Sequence, residues 1–362
     1  MHSSVNSQRK KIAVAMSGGV DSAVAAARLK EAGYEVIGLW MQIVGDGPPE
    51  ADPAFCAACA VARALDIPLF PVDLRAPFEE EIIAYFLQGY LAGKTPNPCA
   101  LCNPRIKFGL LMERAMALGA KLFATGHYAR VEWNLEQGRF ALRRGVDRSK
   151  DQSYFLWGIA QEQLACCCFP NGESTKAEVR HMARSRGLPI SEQGESQDIC
   201  FIPHGECRSF LERGLKADRG AEGAIVDKAG RILGRHGGVF GFTIGQRQGI
   251  GVPAPRPYYV LRIDPAANQV VVGPKEDLLA RGLTARGMRW VSIPAPQAGL
   301  RAMGQIRYRH AAAPCQVTPC AESEVVVLFD EPQEAITPGQ ALVLYQDDRV
   351  LGGGWIGEVC HG

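Results

Sequence analysis

Two sets of residues in this 362-residue chain have types and spacings that could do chemistry. The first is Ser17-Gly18-Gly19-Val20-Asp21-Ser22, which follows the strand-like run Lys11–Met16 and opens a segment of helical period. Glycines and hydroxyls at a helix start crowd backbone N–H groups around one point, where anions are favoured. The loop lacks the Lys that precedes the Ser or Thr of a Walker A loop, so it is a phosphate cradle of another kind. The second set is thiols. Cys102 lies in Thr95-Pro-Asn-Pro-Cys-Ala-Leu-Cys-Asn103 and Cys200 in Glu195-Ser-Gln-Asp-Ile-Cys-Phe201, both polar or Pro-rich loop sequence. Inert structural cysteines favour apolar runs, as Cys166, Cys167 and Cys168 do, and those three read as core. Cys99-x-x-Cys102 and Cys56-x-x-Cys59 also have metal-ligand spacing; two such pairs can make a zinc knot, but Cys56 and Cys59 begin a helical segment.

These residues need a frame. From Lys11 to about Gly126, strand-length apolar runs (IAVAM, VIGLW, LFPVDL, LFATG) alternate with helical periods such as Ala23–Ala32 and Arg105–Leu118, so an α/β domain with a parallel sheet is expected. Tyr128–Arg144 reads as a hairpin inserted after the fourth strand. Helices are expected over Asp151–Cys168 and Thr175–Arg186, the second opened by a Thr175-x-x-Glu178 capping box. Beyond Arg219, short β-branched segments separated by Gly and Pro read as small all-β modules, with a second break near Pro294–Gly299 before GQIRYRH, EVVVLFD and ALVLYQ. The division expected is 1–215 for the α/β domain, 216–280 for a central β-rich module and 281–362 for a C-terminal β-barrel. No apolar run reaches bilayer-spanning length, and the first ten residues read as a frayed terminus without a secretory signal. The chain is therefore expected to be soluble and cytoplasmic, its 12 cysteines reduced rather than paired in a disulfide framework. A net charge of +2 is too small to argue for a nucleic-acid partner by itself.

The loop Ser17–Ser22 resembles the pyrophosphate loop of N-type ATP pyrophosphatases, which split ATP between its α and β phosphates. The resemblance becomes closer with six further strings in one order: Thr95–Asn103, TGHYAR from Thr125, KDQSYFL from Lys150, SQDICF around Cys200, TIGQR from Thr243 and TPGQ from Thr337. Together they resemble the bacterial tRNA-specific 2-thiouridylases from residue 11 to near the C-terminus. The resemblance implies ATP with Mg²⁺ held by Ala15, Met16, Ser17, Gly18, Gly19, Val20, Asp21 and Ser22, Asp21 positioning the metal on the pyrophosphate. It puts adenine against Met41, which alone would read as core, and Gly126 lies where open parallel sheets gather ligands. It implies a persulfide on Cys200 and a Cys102 that acts on it, giving a Cys102–Cys200 disulfide. It implies contacts with the target base from Asn97, Pro98 and Cys99, and with tRNA from His127, Lys150, Asp151, Gln152, Arg307, Tyr308 and Gln340. As partners it implies tRNA and a sulfur donor such as a cysteine desulfurase or sulfur-relay protein.

At position 99 the chain departs from the family, whose usual residue there is Asp. Cys99, Cys102 and Cys200 then resemble the ligand set of thiolases that hold a [4Fe-4S] cluster on three thiolates and leave one iron open for sulfur. Two rivals use parts of the same sequence: a pyrophosphate-loop ligase or amidotransferase acting on a small molecule, which needs neither Cys102 nor Cys200, and a non-catalytic tRNA-binding protein with a structural metal.

Overall fold

The computed structural model describes residues 10–189, 199–202, 205–215, 222–253 and 255–360. The N-terminal stretch before Lys10, Glu195–Asp198 of the Cys200 motif and the expected boundary after Leu215 lie outside the described residues. By backbone contacts the chain divides into two compact units. One is Met1–Phe78 with Cys102–Glu195; the other is Glu79–Leu101 with Ser196–Gly362.

The first unit is built on a five-stranded parallel sheet in the order β3-β2-β1-β4-β7. Its strands are β1 (Lys11–Ala15), β2 (Glu35–Gln42), β3 (Leu69–Asp73), β4 (Leu122–Ala124) and β7 (Cys167–Cys168). β1 and β2 are nearly all apolar and buried, as a strand covered on both faces must be. β3 carries Pro71 and is largely exposed, which suits an edge that lacks a ladder donor. The helix Val20–Glu31 buries every residue from Ser22 to Ala27 and is rich in Ala, so it sits close against the sheet. The hairpin forms as expected, from β5 (Ala129–Asn134) and β6 (Arg139–Arg144).

Asp151–Cys168 is not a helix. A 3₁₀ turn at Ser153–Phe155 and a single α turn at Gln161–Leu164 precede β7, which pairs with β4 through Phe123↔Cys167 and Ala124↔Cys168. The buried Asp151 carboxylate accepts from the N–H groups of Gly145 and Ser153 and from the Ser153 hydroxyl, tying the backbone into a turn where helical bonds would run. Cys167 is core, as expected, but as a strand residue, and burial pushes its thiol far up. The capping box at Thr175 forms: Glu178 N–H donates to Thr175 Oγ1 while Thr175 N–H donates to Glu178 Oε2.

In the second unit, β8 (Gly223–Val226), β9 (Ile232–His236), β10 (Tyr259–Asp264) and β11 (Gln269–Gly273) form a small sheet in the order β10-β11-β8-β9. Six further strands follow: β12 (Leu279–Trp290), β13 (Leu300–Gln305), β14 (Ala313–Ala321), β15 (Glu324–Glu334), β16 (Ala341–Gln346) and β17 (Arg349–Cys360). They run in the order β12-β15-β14-β13-β16-β17, and β12 also pairs with β17, which closes a barrel around Leu283, Val317, Val327, Leu342 and Leu344. Among the described residues no helix is long and apolar enough to cross a membrane.

Candidate active site

Ser17–Ser22 sits where the strand order of the parallel sheet reverses, between β1 and its neighbours β2 and β4, at the carboxyl ends where α/β folds bind ligands. Gly18 has φ +79°, and a Cβ there would lie 2.5 Å from the Ala54 carbonyl oxygen, so only glycine fits. Ser22 Oγ donates to the Gly19 carbonyl and accepts from the Ser17 N–H, closing the loop on itself. Gly19 caps the helix without a side chain, which leaves the first helical N–H groups to an anion. Met16 is buried under the loop and Met41 is half-buried at the end of β2. Gly126, just past β4, comes so close that a Cβ would lie 2.7 Å from the Asp21 carbonyl carbon and 2.8 Å from the Ser22 nitrogen. The structure thus brings the nucleotide residues expected from sequence to one sheet edge.

It adds three residues that the sequence did not single out. Lys176 Nζ stands 2.7 Å from both carboxylate oxygens of Asp21, its own side chain only 8% exposed against 35% for Asp21. Tyr128 donates its hydroxyl to Asp21 Oδ1 at 2.7 Å. The fully buried Asn171 donates from Nδ2 to the carbonyls of Asp21 and Gly126, while its Oδ1 has no hydrogen-bond partner. One signal could have found Lys176: it is the first residue of a helix, where the dipole disfavours a cation unless a carboxylate is nearby.

Beside this edge, His127 is packed against Phe108 and Phe169 with Nδ1 2.7 Å from Thr125 Oγ1, and burial of the ring holds its pKa well below 6.5. Gln152 is committed to backbone, its Oε1 accepting from Tyr128 N–H. Asp151 is buried and engaged by its own chain, with Arg144 completing its partners at 3.1 Å, so it shapes the turn that presents Lys150 and Gln152. Arg143 is drawn to Glu132 at 2.6 Å.

Cys99 and Cys102 lie on the short helix Pro98–Cys102, Cys99 half-buried and Cys102 buried. Asn97, itself buried, starts that helix by accepting the Ala100 N–H on its side-chain oxygen. Cys200 is exposed on a turn closed by Ile202 N–H to the Ile199 carbonyl. Its neighbour Phe201 is buried edge-on against Phe86 with centroids 5.5 Å apart and also touches Phe210, so an exposed thiol stands on an anchored base. Among the described residues no group of three or more His, Cys, Asp or Glu is placed to hold a metal ion.

Arg307-Tyr308-Arg309 is not on a strand. β13 ends at Gln305, whose Nε2 donates to the carbonyls of Arg307 and Tyr308 and turns the chain there. Gln340 lies in the turn before β16 and donates its side-chain amide to the Thr95 carbonyl at 2.9 Å.

A sheet-edge pyrophosphate loop with an acidic residue, followed by a small β module and a closed barrel, defines a multidomain enzyme of the ATP-utilising pyrophosphate-loop class. Residues 10–204 match the family described as the tRNA methyl transferase HUP domain, 208–274 the tRNA methyl transferase PRC-barrel domain and 280–356 the aminomethyltransferase beta-barrel domain. A tRNA-specific 2-thiouridylase of Geotalea uraniireducens is 46% identical over 97% of this chain and 96% of its own. Those of Geobacter metallireducens and Syntrophotalea carbinolica are each 48% identical over 96% of this chain and over 97% and 99% of theirs. The chain belongs to the tRNA-specific 2-thiouridylase family, and the small-molecule ligase reading is not favoured.

Proposed function

We propose that this enzyme thiolates C2 of the wobble uridine of tRNA in two steps, with ATP and Mg²⁺ consumed at the Ser17–Ser22 loop and sulfur delivered from a persulfide on Cys200. The carrying observation is the intact loop, with Asp21 at its head, in a chain that matches thiouridylases along nearly its whole length. The C2 oxygen of uracil is a very poor leaving group. Its attack on the α-phosphorus of ATP forms a C2–O–AMP bond and expels pyrophosphate, whose charge the loop N–H groups neutralise. Asp21 would hold Mg²⁺, which would supply further neutralisation of the pyrophosphate. The terminal sulfur of the Cys200 persulfide then attacks C2 and AMP leaves with the former oxygen. Cys102 thiolate attacks the Cys200 sulfur, the S–S bond to the delivered sulfur breaks, and 2-thiouridine departs as a Cys102–Cys200 disulfide forms. An external thiol reductant and a sulfane donor, such as a cysteine desulfurase or relay protein, restore the persulfide.

In this reading residues 1–215 carry the chemistry, 216–280 link, and the barrel of 281–362 grips tRNA. Asn97, Pro98 and Cys99 meet the base, and His127, Lys150, Gln152, Arg307 and Tyr308 contact RNA, while the buried Asp151 shapes the turn beside Lys150 and Gln340 bonds the Thr95 carbonyl. ATP and tRNA as substrates favour a cytoplasmic location. The test is nucleoside mass spectrometry of tRNA after incubation with enzyme, ATP, Mg²⁺ and a persulfide source. Appearance of 2-thiouridine only with ATP is expected; ATP-independent thiolation, or none, would defeat the reading.

A further inference from the structure

The loop that leads to the two cysteines of the helix Pro98–Cys102 is held from the barrel. Thr95 N–H donates to the Pro338 carbonyl at 3.0 Å, and the Gln340 amide returns a bond to the Thr95 carbonyl at 2.9 Å, so both backbone groups of Thr95 are taken by one turn. The turn is itself fixed. Gln340 N–H reaches the Thr337 carbonyl, Gly339 N–H the Ile356 carbonyl, and Ile356 N–H the Gln340 carbonyl. Gly339 has φ +91°, and a Cβ there would lie 3.0 Å from Lys94 Cβ and 3.1 Å from the Thr95 oxygen, so turn and loop meet at backbone distance. A second hold comes through Tyr85, which packs at 5.8 Å against Trp355 of β17 with the rings tilted by 52°, is hydrogen-bonded to the Asn97 backbone, and has its hydroxyl pushed up to about 12 by burial. Pro96 packs against Gly89, where a Cβ would come within 2.9 Å of its ring.

We infer that the Thr337–Gln340 turn is a positioning element for sulfur transfer: Gln340 acts through Thr95 on the placement of Cys99 and Cys102, and its amide is not primarily an RNA contact. The resemblance that suggested tRNA contact for Gln340 leaves this role unassigned. The amide donates to protein, and a carbonyl that loses such a partner can relax the loop carrying the thiols by an amount that costs rate without costing RNA affinity. Gly339 has no side chain with which to touch RNA, which separates the two roles. The inference rests on the thiolation reading above for its rate measurement, but not for its chemical one.

The experiment uses the full-length protein with Gln340→Ala, Gln340→Glu and Gly339→Ala, each checked for an unchanged melting temperature. Three quantities are read: tRNA affinity by filter binding, the single-turnover thiolation rate at saturating tRNA, and the alkylation rate of Cys99 and Cys102 by iodoacetamide without tRNA or ATP. Expected is a fall of about 5-fold or more in single-turnover rate, the size of one lost neutral hydrogen bond. Affinity should stay within about 2-fold, and alkylation of the two cysteines should change by a similar factor to the rate. Gly339→Ala should behave like Gln340→Ala. Weakened tRNA binding with a normal saturated rate, or alkylation rates equal to wild type in both Gln340 variants, would overturn the inference. If the wild type makes no thiouridine, the functional reading fails while the alkylation comparison still decides this one.

Discussion

Lys176 and Asp21 form a chelate, one ammonium lying 2.7 Å from each oxygen of one carboxylate across 155 residues of sequence. A cation so placed holds Asp21 toward the loop and must share it when a metal–pyrophosphate arrives. Removing Asp21 deletes the proposed metal contact; removing Lys176 leaves a carboxylate held by the Tyr128 hydroxyl without its cation. Asp21→Ala is therefore expected to lose AMP release by a factor of about 100 or more, and Lys176→Met by about 10, both with normal tRNA gel shifts. AMP production at the wild-type rate by Asp21→Ala would remove the loop from the mechanism.

Gly126→Ala tests the other side of the same edge. Its new methyl would have to enter a space bounded at 2.7–2.9 Å by Asp21 and Ser22, where the Asp21 carbonyl carbon and the Ser22 nitrogen are backbone and cannot swing aside. The helix start must move, and Asn171, which bridges the Asp21 and Gly126 carbonyls, would lose one bond. A loss of about 1–3 kcal/mol in urea denaturation is expected, with a raised KM for ATP and unchanged tRNA affinity. An unchanged KM would mean that this strand end does not set the nucleotide site.

How much of this could be seen in advance depended on whether the signal was local. The phosphate loop and the capping box at Thr175 are contiguous strings with their own backbone chemistry, and both appear where expected. The segment 151–168 misled because its helical apolar spacing ignored a short-range competitor, the Asp151 carboxylate, which captures backbone N–H groups at positions 145 and 153. Arg307–Arg309 misled for a like reason, since Gln305 turns the strand by bonding carbonyls just ahead of it. Lys176, Asn171 and the Gln340–Thr95 bond join residues 150 to 245 positions apart, and no period or composition in a single sequence carries that information.

Cys200 stands exposed beside an anchored Phe201, a placement suited to receiving sulfur from a donor. Adenylation needs no thiol, so Cys200→Ala should accumulate AMP-linked tRNA while 2-thiouridine falls below detection. Labelled AMP trapped on tRNA measures the first, nucleoside mass spectrometry the second. Undiminished 2-thiouridine would take Cys200 out of the reaction.

His127 gives a pH dependence whose sign is fixed. Burial of its ring, and secondarily the charge of Lys107, hold its folded pKa well below the ordinary 6.5. Below about pH 6.5 the unfolded chain binds a proton that the folded chain refuses, so stability is lost as pH falls. His236 and His310 are shifted the same way by burial and add to the slope. Urea midpoints measured from pH 7.5 to 5.5 should decline, and His127→Asn should flatten part of that decline. A variant slope equal to wild type would show that burial does not lower the pKa of this imidazole.

Cys99 separates the two sulfur routes. A persulfide on Cys200 resolved by Cys102 makes no demand on position 99, whereas a cluster on three thiolates loses a ligand if Cys99 becomes a carboxylate, since soft thiolate donors favour iron–sulfur centres. Cys99 is half-buried on a helix whose start is fixed by Asn97, so an Asp there is accommodated near the surface without disturbing the cap at Ala100. The proposed reaction takes the persulfide route. Cys99→Asp should then thiolate tRNA within about 3-fold of wild type, whereas loss of a required ligand typically costs far more. Both proteins should be purified without oxygen and their iron content and visible spectra recorded beside the rate. Stoichiometric iron in the wild type that disappears together with activity in Cys99→Asp would sink the persulfide route and leave the cluster as the carrier of sulfur.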